Sequence, residues 1–176
     1  MAERVLREMP AGERIYAILD GARDRHVRSW VIDSRAAAWC LYRGELTPAL
    51  ESAAPWLVRI TPGHPGTEEL FKLGWNNSWG ILIATTAAAR EVRRHLRRFF
   101  IVKTEDKTRM LFRYYDPRVL RIYLPTCTPE EIEQFFGPIS TMIAEAEDPG
   151  AFHVFRRSAT GLEQRLVEGL QAARSA

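Results

Sequence analysis

Short apolar runs divided by turn residues, with one strong helical stripe among them, set the pattern of this chain. Ile15 to Leu19 is an apolar run that ends at Asp20-Gly21, a strand followed by a turn. Arg23 to Trp30 reads as a helix, with Val27, Trp30 and Val31 on one side. Ala38 to Tyr42 and Trp56 to Ile60 are further strands, with a helical turn held between Pro48 and Pro55. Pro62-Gly63-His64-Pro65-Gly66 is a loop by composition, after which Thr67 is placed to cap a short helix that Gly74 stops. Trp79 to Ala84 is the segment most clearly marked as a buried strand. Thr85 and Thr86 are placed to cap a helix from Ala87 to about Arg98, whose core face is Ala88, Val92, His95, Leu96 and Phe99. Phe99 to Lys103 and Arg109 to Tyr115 are strands around the polar turn Thr104-Glu105-Asp106-Lys107-Thr108, a hairpin.

The tail changes character. Thr128-Pro129-Glu130-Glu131 is a capping box with proline at the first helical position, opening a helix through about Phe136 that Gly137-Pro138 ends. Asp148-Pro149-Gly150 is a turn and Phe152 to Arg156 a short strand. Thr160-Gly161-Leu162-Glu163 reads as a second capping box, and Leu162, Leu166 and Leu170 as the stripe of a terminal helix. The pattern predicts a mixed α/β (α+β) protein: a central mixed sheet of about five to six strands flanked by helices, with a small helix-rich C-terminal lobe. A soft boundary gives an α/β domain over 1–124 and the helix-rich lobe over 125–176.

Composition narrows the class. The chain has 176 residues, 46% apolar and 27% charged, which suits a packed globular domain and excludes disorder. No apolar run approaches the ~18 residues that cross a bilayer, and the N-terminus MAERVLREMPAGER lacks the apolar stretch of a secretory signal. The expectation is a cytoplasmic protein without membrane contact. Cys40 and Cys127 stand far apart with no CxxC spacing and are read as free thiols. Net charge is +3, and all but Lys72, Lys103 and Lys107 of the 25 Lys and Arg are arginine. Arginine suits planar, bidentate contacts with carboxylates or phosphates.

Candidate chemistry is sparse. His26, His64, His95 and His153 show no metal-ligand spacing; His95 is read as flanking the core and His64 as loop decoration. Asn76-Asn77-Ser78-Trp79-Gly80 lacks the first glycine of a nucleophile elbow, and Gly63 to Gly66 is not followed by the Lys-Ser/Thr of a phosphate loop. Asp20, Asp33 and Asp116 are carboxylates that would have to converge at strand ends to do acid–base work; turn and cap formation is the plainer reading of each. The sequence predicts no catalysis, no cofactor and no metal. Arg90, Arg93, Arg94, Arg97 and Arg98 gather on one side of their helix; this side suits solvent, an acidic protein or a nucleic acid. Trp75 and Trp79 flank Asn76-Asn77, and Trp75 is a candidate contact residue.

The most informative segment is Met110 to Leu120, MLFRYYDPRVL, an aromatic strand that runs into Asp116-Pro117. Asp116 is placed to cap a helix or turn started by Pro117, and Arg113 should face away from Phe112 and Tyr114. FRYYDPRVL resembles the signature of a family of bacterial type VI secretion adaptors, also called effector chaperones. Further blocks resemble it in order: Tyr16 to Ala22, Leu41-Tyr42-Arg43-Gly44, Ala54 to Val58 and Trp79 to Leu82, together spanning roughly Ile15 to Gly137. The resemblance implies a binding protein without turnover. It would hold a toxin effector in the cytoplasm, through a segment near the effector's N-terminus, and help load it on the VgrG spike protein. The candidate partner-binding residues are Asp20, Tyr42, Trp75, Arg113, Tyr115, Asp116 and Arg118, with Leu162, Leu166 and Leu170 in the unmatched C-terminal part, where client specificity is expected. Two alternatives from other classes stand beside it. One is a small hydrolase or nucleotide-binding enzyme using Asp20 and Asp116; the other is a nucleic-acid-binding module using the Arg90–Arg98 helix.

Overall fold

The computed structural model describes residues 1–103 and 108–169. In chain order the elements are α1 (Ala2–Leu6), β1 (Arg14–Asp20), α2 (Arg25–Asp33), β2 (Ala38–Cys40), α3 (Pro48–Ser52), β3 (Pro55–Ile60), α4 (Pro65–Gly74), β4 (Gly80–Thr85) and α5 (Ala89–Leu96). They continue with β5 (Ile101–Lys103), β6 (Arg109–Leu111), α6 (Pro117–Tyr123), a 3-10 turn at Leu124–Thr126, α7 (Pro129–Phe136), β7 (Ile139–Glu145), β8 (Phe152–Ser158) and β9 (Gly161–Val167). Seven strands form one sheet in the order β2-β3-β1-β4-β7-β8-β9, and β5 and β6 form a separate two-stranded ribbon. The expected mixed α+β class holds, but the main sheet is antiparallel at every pairing, and larger than the five to six strands expected.

Strand β1 lies between β3 and β4, so its side chains alternate into two cores. Ile15, Ala17 and Leu19 enter one core with Val58, Leu82 and Ala84, while Tyr16 and Ile18 enter the other with Leu57, Ile81 and Ile83. Helices α1, α2 and α4 cover the first face through Val5, Val27, Trp30, Leu70 and Phe71. Helices α5, α6 and α7 cover the second through Val92, Leu96, Leu120, Ile132 and Phe136. With both faces covered, β1 and β4 must be apolar at nearly every position, which is why their sequences read as unbroken runs. Burying each Ile or Leu of these strands contributes about 1.5–3 kcal/mol before its entropy cost.

The C-terminal part departs from expectation. Ile139 to Glu145, which carries no strong strand signal, is β7 and pairs with β4 through Leu82–Ile143 and Ile83–Met142. The helix expected from Leu162 is instead β9, joined to β8 by a tight turn in which Ser158 faces Gly161. Gly161 sits at φ +118°, which a helical residue never adopts, so Thr160 does not open a helix. A spacing of four residues also returns to the same face of a strand, so the Leu162/Leu166 stripe fits either period. Residues 125–167 therefore hold one helix, α7, and three strands of the main sheet, where a helix-rich lobe was expected. Leu170 lies outside the described residues, as do positions 104–107 of the expected hairpin turn.

Helix α5 starts at Ala89 with Ala88 as its N-cap and no side-chain cap bond; Thr85, expected as a cap, instead accepts from the Ala87 N–H (3.0 Å) and donates to the Pro138 carbonyl (2.5 Å). Thr128 and Glu131 form the reciprocal capping box of α7, with Thr128 Oγ1 accepting from the Glu131 N–H (3.3 Å) and Glu131 Oε2 from the Thr128 N–H (2.8 Å). Helix α4 is capped by His64, whose Nδ1 accepts from the Gly66 N–H (3.1 Å), and not by Thr67, whose hydroxyl donates to the Thr61 carbonyl (2.8 Å). His95 is buried with Nε2 2.8 Å from the Phe135 carbonyl oxygen. Gly137 turns beside it at φ +51°, where a Cβ would strike the imidazole ring. Cys40 and Cys127 are free and half-buried, and burial pushes both thiols up from their ordinary pKa. Among the described residues no helix is long and apolar enough to cross a membrane.

Candidate functional site

Strand β1 delivers Asp20 to the end of the sheet on the α5–α7 side, and there the signature segment meets it. Asp20 is 1% exposed. Its Oδ1 accepts from the Ala22 N–H (3.0 Å), which closes the turn after β1, and its Oδ2 accepts from Arg113 Nη2 in an ion pair. A carboxylate this deep is tolerable only because a cation and a backbone donor share its charge. The hydrogen bond to Asp20 holds the Arg113 pKa above its ordinary value, against the effect of burial. Tyr42 and Tyr115 share a side-chain hydrogen bond beside this pair. Burial first, and the Asp20 charge second, push both phenols up, so both stay neutral and one donates to the other.

One turn further, Asp116 caps α6 as the sequence predicts. Its Oδ1 accepts from the Arg118 N–H (3.0 Å), and Pro117 occupies the first helical turn. The Arg118 guanidinium closes back on the same carboxylate through Nε (2.9 Å) and Nη2 (2.6 Å), a bidentate pair. Burial alone would raise the Asp116 pKa; the bonds from Arg118 outweigh it and hold the group below its ordinary value. Tyr114 is core, with its hydroxyl donating to the Leu96 carbonyl (3.1 Å). Strand β6 stops at Leu111, so Phe112 to Tyr115, expected as strand, instead peels from the ribbon toward β1. The turn that follows lets Arg113 turn inward to Asp20.

The structure thus brings together Asp20, Tyr42, Arg113 and Tyr115, with Asp116 and Arg118 adjoining. It does not bring Trp75 to them. Trp75 packs in the opposite core, stacked on Phe71 (5.2 Å between ring centres) and edge-on to Phe152 (6.0 Å). Leu162 packs beside the second core from β9, and Leu166 lies exposed on that edge strand. The arginine helix is also divided in its work. Arg97 donates through Nε to the Leu41 carbonyl (2.8 Å) and through Nη2 to those of Cys40 (3.1 Å) and Tyr42 (2.7 Å), and Arg93 reaches Cys40 (3.4 Å). These bonds clamp the segment that carries Tyr42. Arg90, Arg94 and Arg98 remain exposed.

Two features go beyond the residues singled out from the sequence. Glu145 at the end of β7 is buried, and burial raises its pKa despite opposing bonds from Ser78 and Asn76. It accepts from the N–H groups of Asn76 (2.5 Å) and Ser78 (2.7 Å) and from the Ser78 hydroxyl (2.9 Å), and so pins a loop whose Asn76 and Ser78 both have positive φ. Two helix-free residues at φ +63° and +55° are held only with such support. The second feature is apolar surface. Ile101 and Val102 of β5, Met110 and Leu111 of β6, and Ile122 of α6 are all exposed, beside an open depression of about 640 Å³ lined by Phe112, Val119, Ile122 and Tyr123. The runs FFIVK and RMLF carried a trace of it: two strands this short and apolar, joined by a polar turn, have no covering partner in the sequence.

Among the described residues no three His, Cys, Asp or Glu gather as a metal-binding group. Comparison with curated proteins and with solved structures returned no match. The family described as Domain of unknown function (DUF4123) matches residues 15–134, a span that holds β1, the Arg97 clamp and the whole Arg113–Arg118 signature; the chain belongs to that family.

Proposed function

We propose that this protein is a type VI secretion adaptor: it binds a toxin effector in the cytoplasm, keeps it soluble and passes it to the VgrG spike. The observation that carries the reading is the pairing of a rigid three-layer platform with one concentrated apolar surface. Among the described residues, half of the exposed large apolar side chains lie on the β5–β6 ribbon and α6. Scattered exposed leucines mean nothing, but a cluster beside an open depression is what a binding protein presents. The resemblance of FRYYDPRVL and its companion blocks to effector chaperones supplies the identity of the partner. The enzyme alternative asks Asp20 and Asp116 to act on a substrate, whereas each carboxylate is engaged by an arginine. The test is to identify what co-purifies with the chain from its native cell, co-express the chain with a toxin found there, and measure toxin solubility, co-elution and secretion. The expected result is a stable complex, and a toxin that precipitates and is not secreted when the chain is deleted. A toxin equally soluble and equally secreted without the chain overturns the reading.

A further inference from the structure

The β5–β6 ribbon is built unlike the rest of the molecule. Ile101 pairs with Leu111 and Val102 with Met110, so one apolar pair projects from each face, and all four side chains are exposed. A ribbon of two three-residue strands is marginal by itself. Here it is tethered at its base, where the Phe112 N–H donates to the Phe100 carbonyl (2.9 Å) and Phe100 joins the second core. Among the described residues each strand pairs with one other strand, which leaves each an outer edge. Beyond Leu111, β6 leads directly into the depression between Phe112 and α6, whose rim residue Ile122 is 74% exposed.

Charge indicates the occupant. Between Arg90 and Arg118 fall ten of the chain's 25 Lys and Arg but only four of its 22 Asp and Glu, so this stretch carries +6 while the remainder carries −3. Arg109, the first residue of β6, and Arg94 and Arg98, a few residues before β5, are exposed. We propose that this ribbon is a docking edge for an extended acidic segment of a protein partner, which adds to it as a further strand and seats an apolar side chain in the depression beside Ile122. Strand addition uses the ribbon's outer backbone edge for affinity and the apolar side chains for register. A nucleic acid fits less well, because the exposed side chains are aliphatic and offer no rings for bases to stack on. A membrane fits less well, because an open strand edge leaves backbone groups unpaired in lipid.

The identity of the natural partner rests on the adaptor reading; the chemistry of the docking edge does not. The probe is therefore a fluorescent, end-blocked peptide of about nine residues alternating Glu with Val or Ile, long enough to cover the ribbon edge. Three companions accompany it: the same peptide with Lys for Glu, one N-methylated at alternate amides, and anionic vesicles or single-stranded DNA as competing ligands. The full chain should bind the acidic peptide saturably at physiological salt and bind the lysine and N-methylated peptides at least about tenfold more weakly. Met110→Glu and Ile122→Glu should each weaken binding by at least about tenfold while melting temperature stays within about 2 °C, because these side chains are already largely in water. No saturable binding up to ~1 mM, equal binding by the N-methylated peptide, or tighter binding of vesicles or DNA overturns the proposal. A toxin that co-purifies with the chain separates the two ideas. If it co-elutes equally with wild type and with Met110→Glu, the adaptor reading stands and the ribbon site falls; if the peptide binds as expected but no toxin does, the reverse holds.

Discussion

Arg113→Ala is the sharpest test of what the family signature does. The substitution leaves Asp20, 1% exposed, with a single backbone donor and no cation. Removing one member of a fully buried pair costs about 3–5 kcal/mol, nearly all of it the penalty for the stranded charge. The Arg113 side chain is 37% exposed, so water can enter the space it leaves and recover part of that penalty. A loss of about 2–3 kcal/mol follows, or roughly 5–10 °C in melting temperature for a chain of this size. Asp20→Asn in the Arg113→Ala background removes the stranded charge and should restore about 1 kcal/mol or more, giving a non-additive cycle. Urea denaturation of the wild type, both single variants and the double variant measures it. An Arg113→Ala variant within about 0.5 kcal/mol of wild type, or additive losses in the cycle, would refute the structural role and return Arg113 to the partner-facing surface.

Gly137→Ala should destabilise the fold by at least about 1–2 kcal/mol, since a side chain there is strained at φ +51° and meets the His95 ring; chemical denaturation at neutral pH reads it directly. His95 gives a pH signature. Burial, reinforced by the Arg98 charge, lowers its folded pKa, so the unfolded chain takes up its proton first and stability falls as pH drops below about 6.5. His95→Gln should flatten the slope of stability against pH between about 6.5 and 5 relative to wild type, and an unchanged slope would remove His95 as its source.

Much of the fold was legible because the strongest patterns have one physical solution. The unbroken apolar runs of β1 and β4 can only be strands covered on both faces, and the Thr128–Glu131 box with Pro129 can only open a helix. Asp116 was legible for the same reason: a capping residue before proline is a local device that needs no tertiary information. The failures lie where local pattern is degenerate. Leu162 and Leu166, four apart, satisfy both periods, and the choice was made by pairing with β8, which the sequence does not state. Ile139 to Glu145 ends in a buried glutamate, and what makes that position tolerable is the Asn76–Ser78 loop, sixty-odd residues upstream. The position of Trp75 was misjudged because its neighbours Asn76 and Asn77 are exposed while the ring itself turns back onto Phe71.

The site teaches a different lesson about motifs. Nearly every residue of FRYYDPR is engaged within the chain: Arg113 with Asp20, Tyr114 with Leu96, Tyr115 with Tyr42, Asp116 with Arg118. Such a cluster locks the segment after β6 against the end of β1 and so fixes where the β5–β6 ribbon and α6 stand relative to the sheet. A group that is already satisfied gains little by also touching a partner, because it must first give up what it holds. The side chains with free energy still to gain from contact are the unburied aliphatic ones, Ile101, Val102, Met110, Leu111 and Ile122. The signature then marks a frame, and under the docking proposal recognition belongs to the less distinctive residues that the frame holds in place.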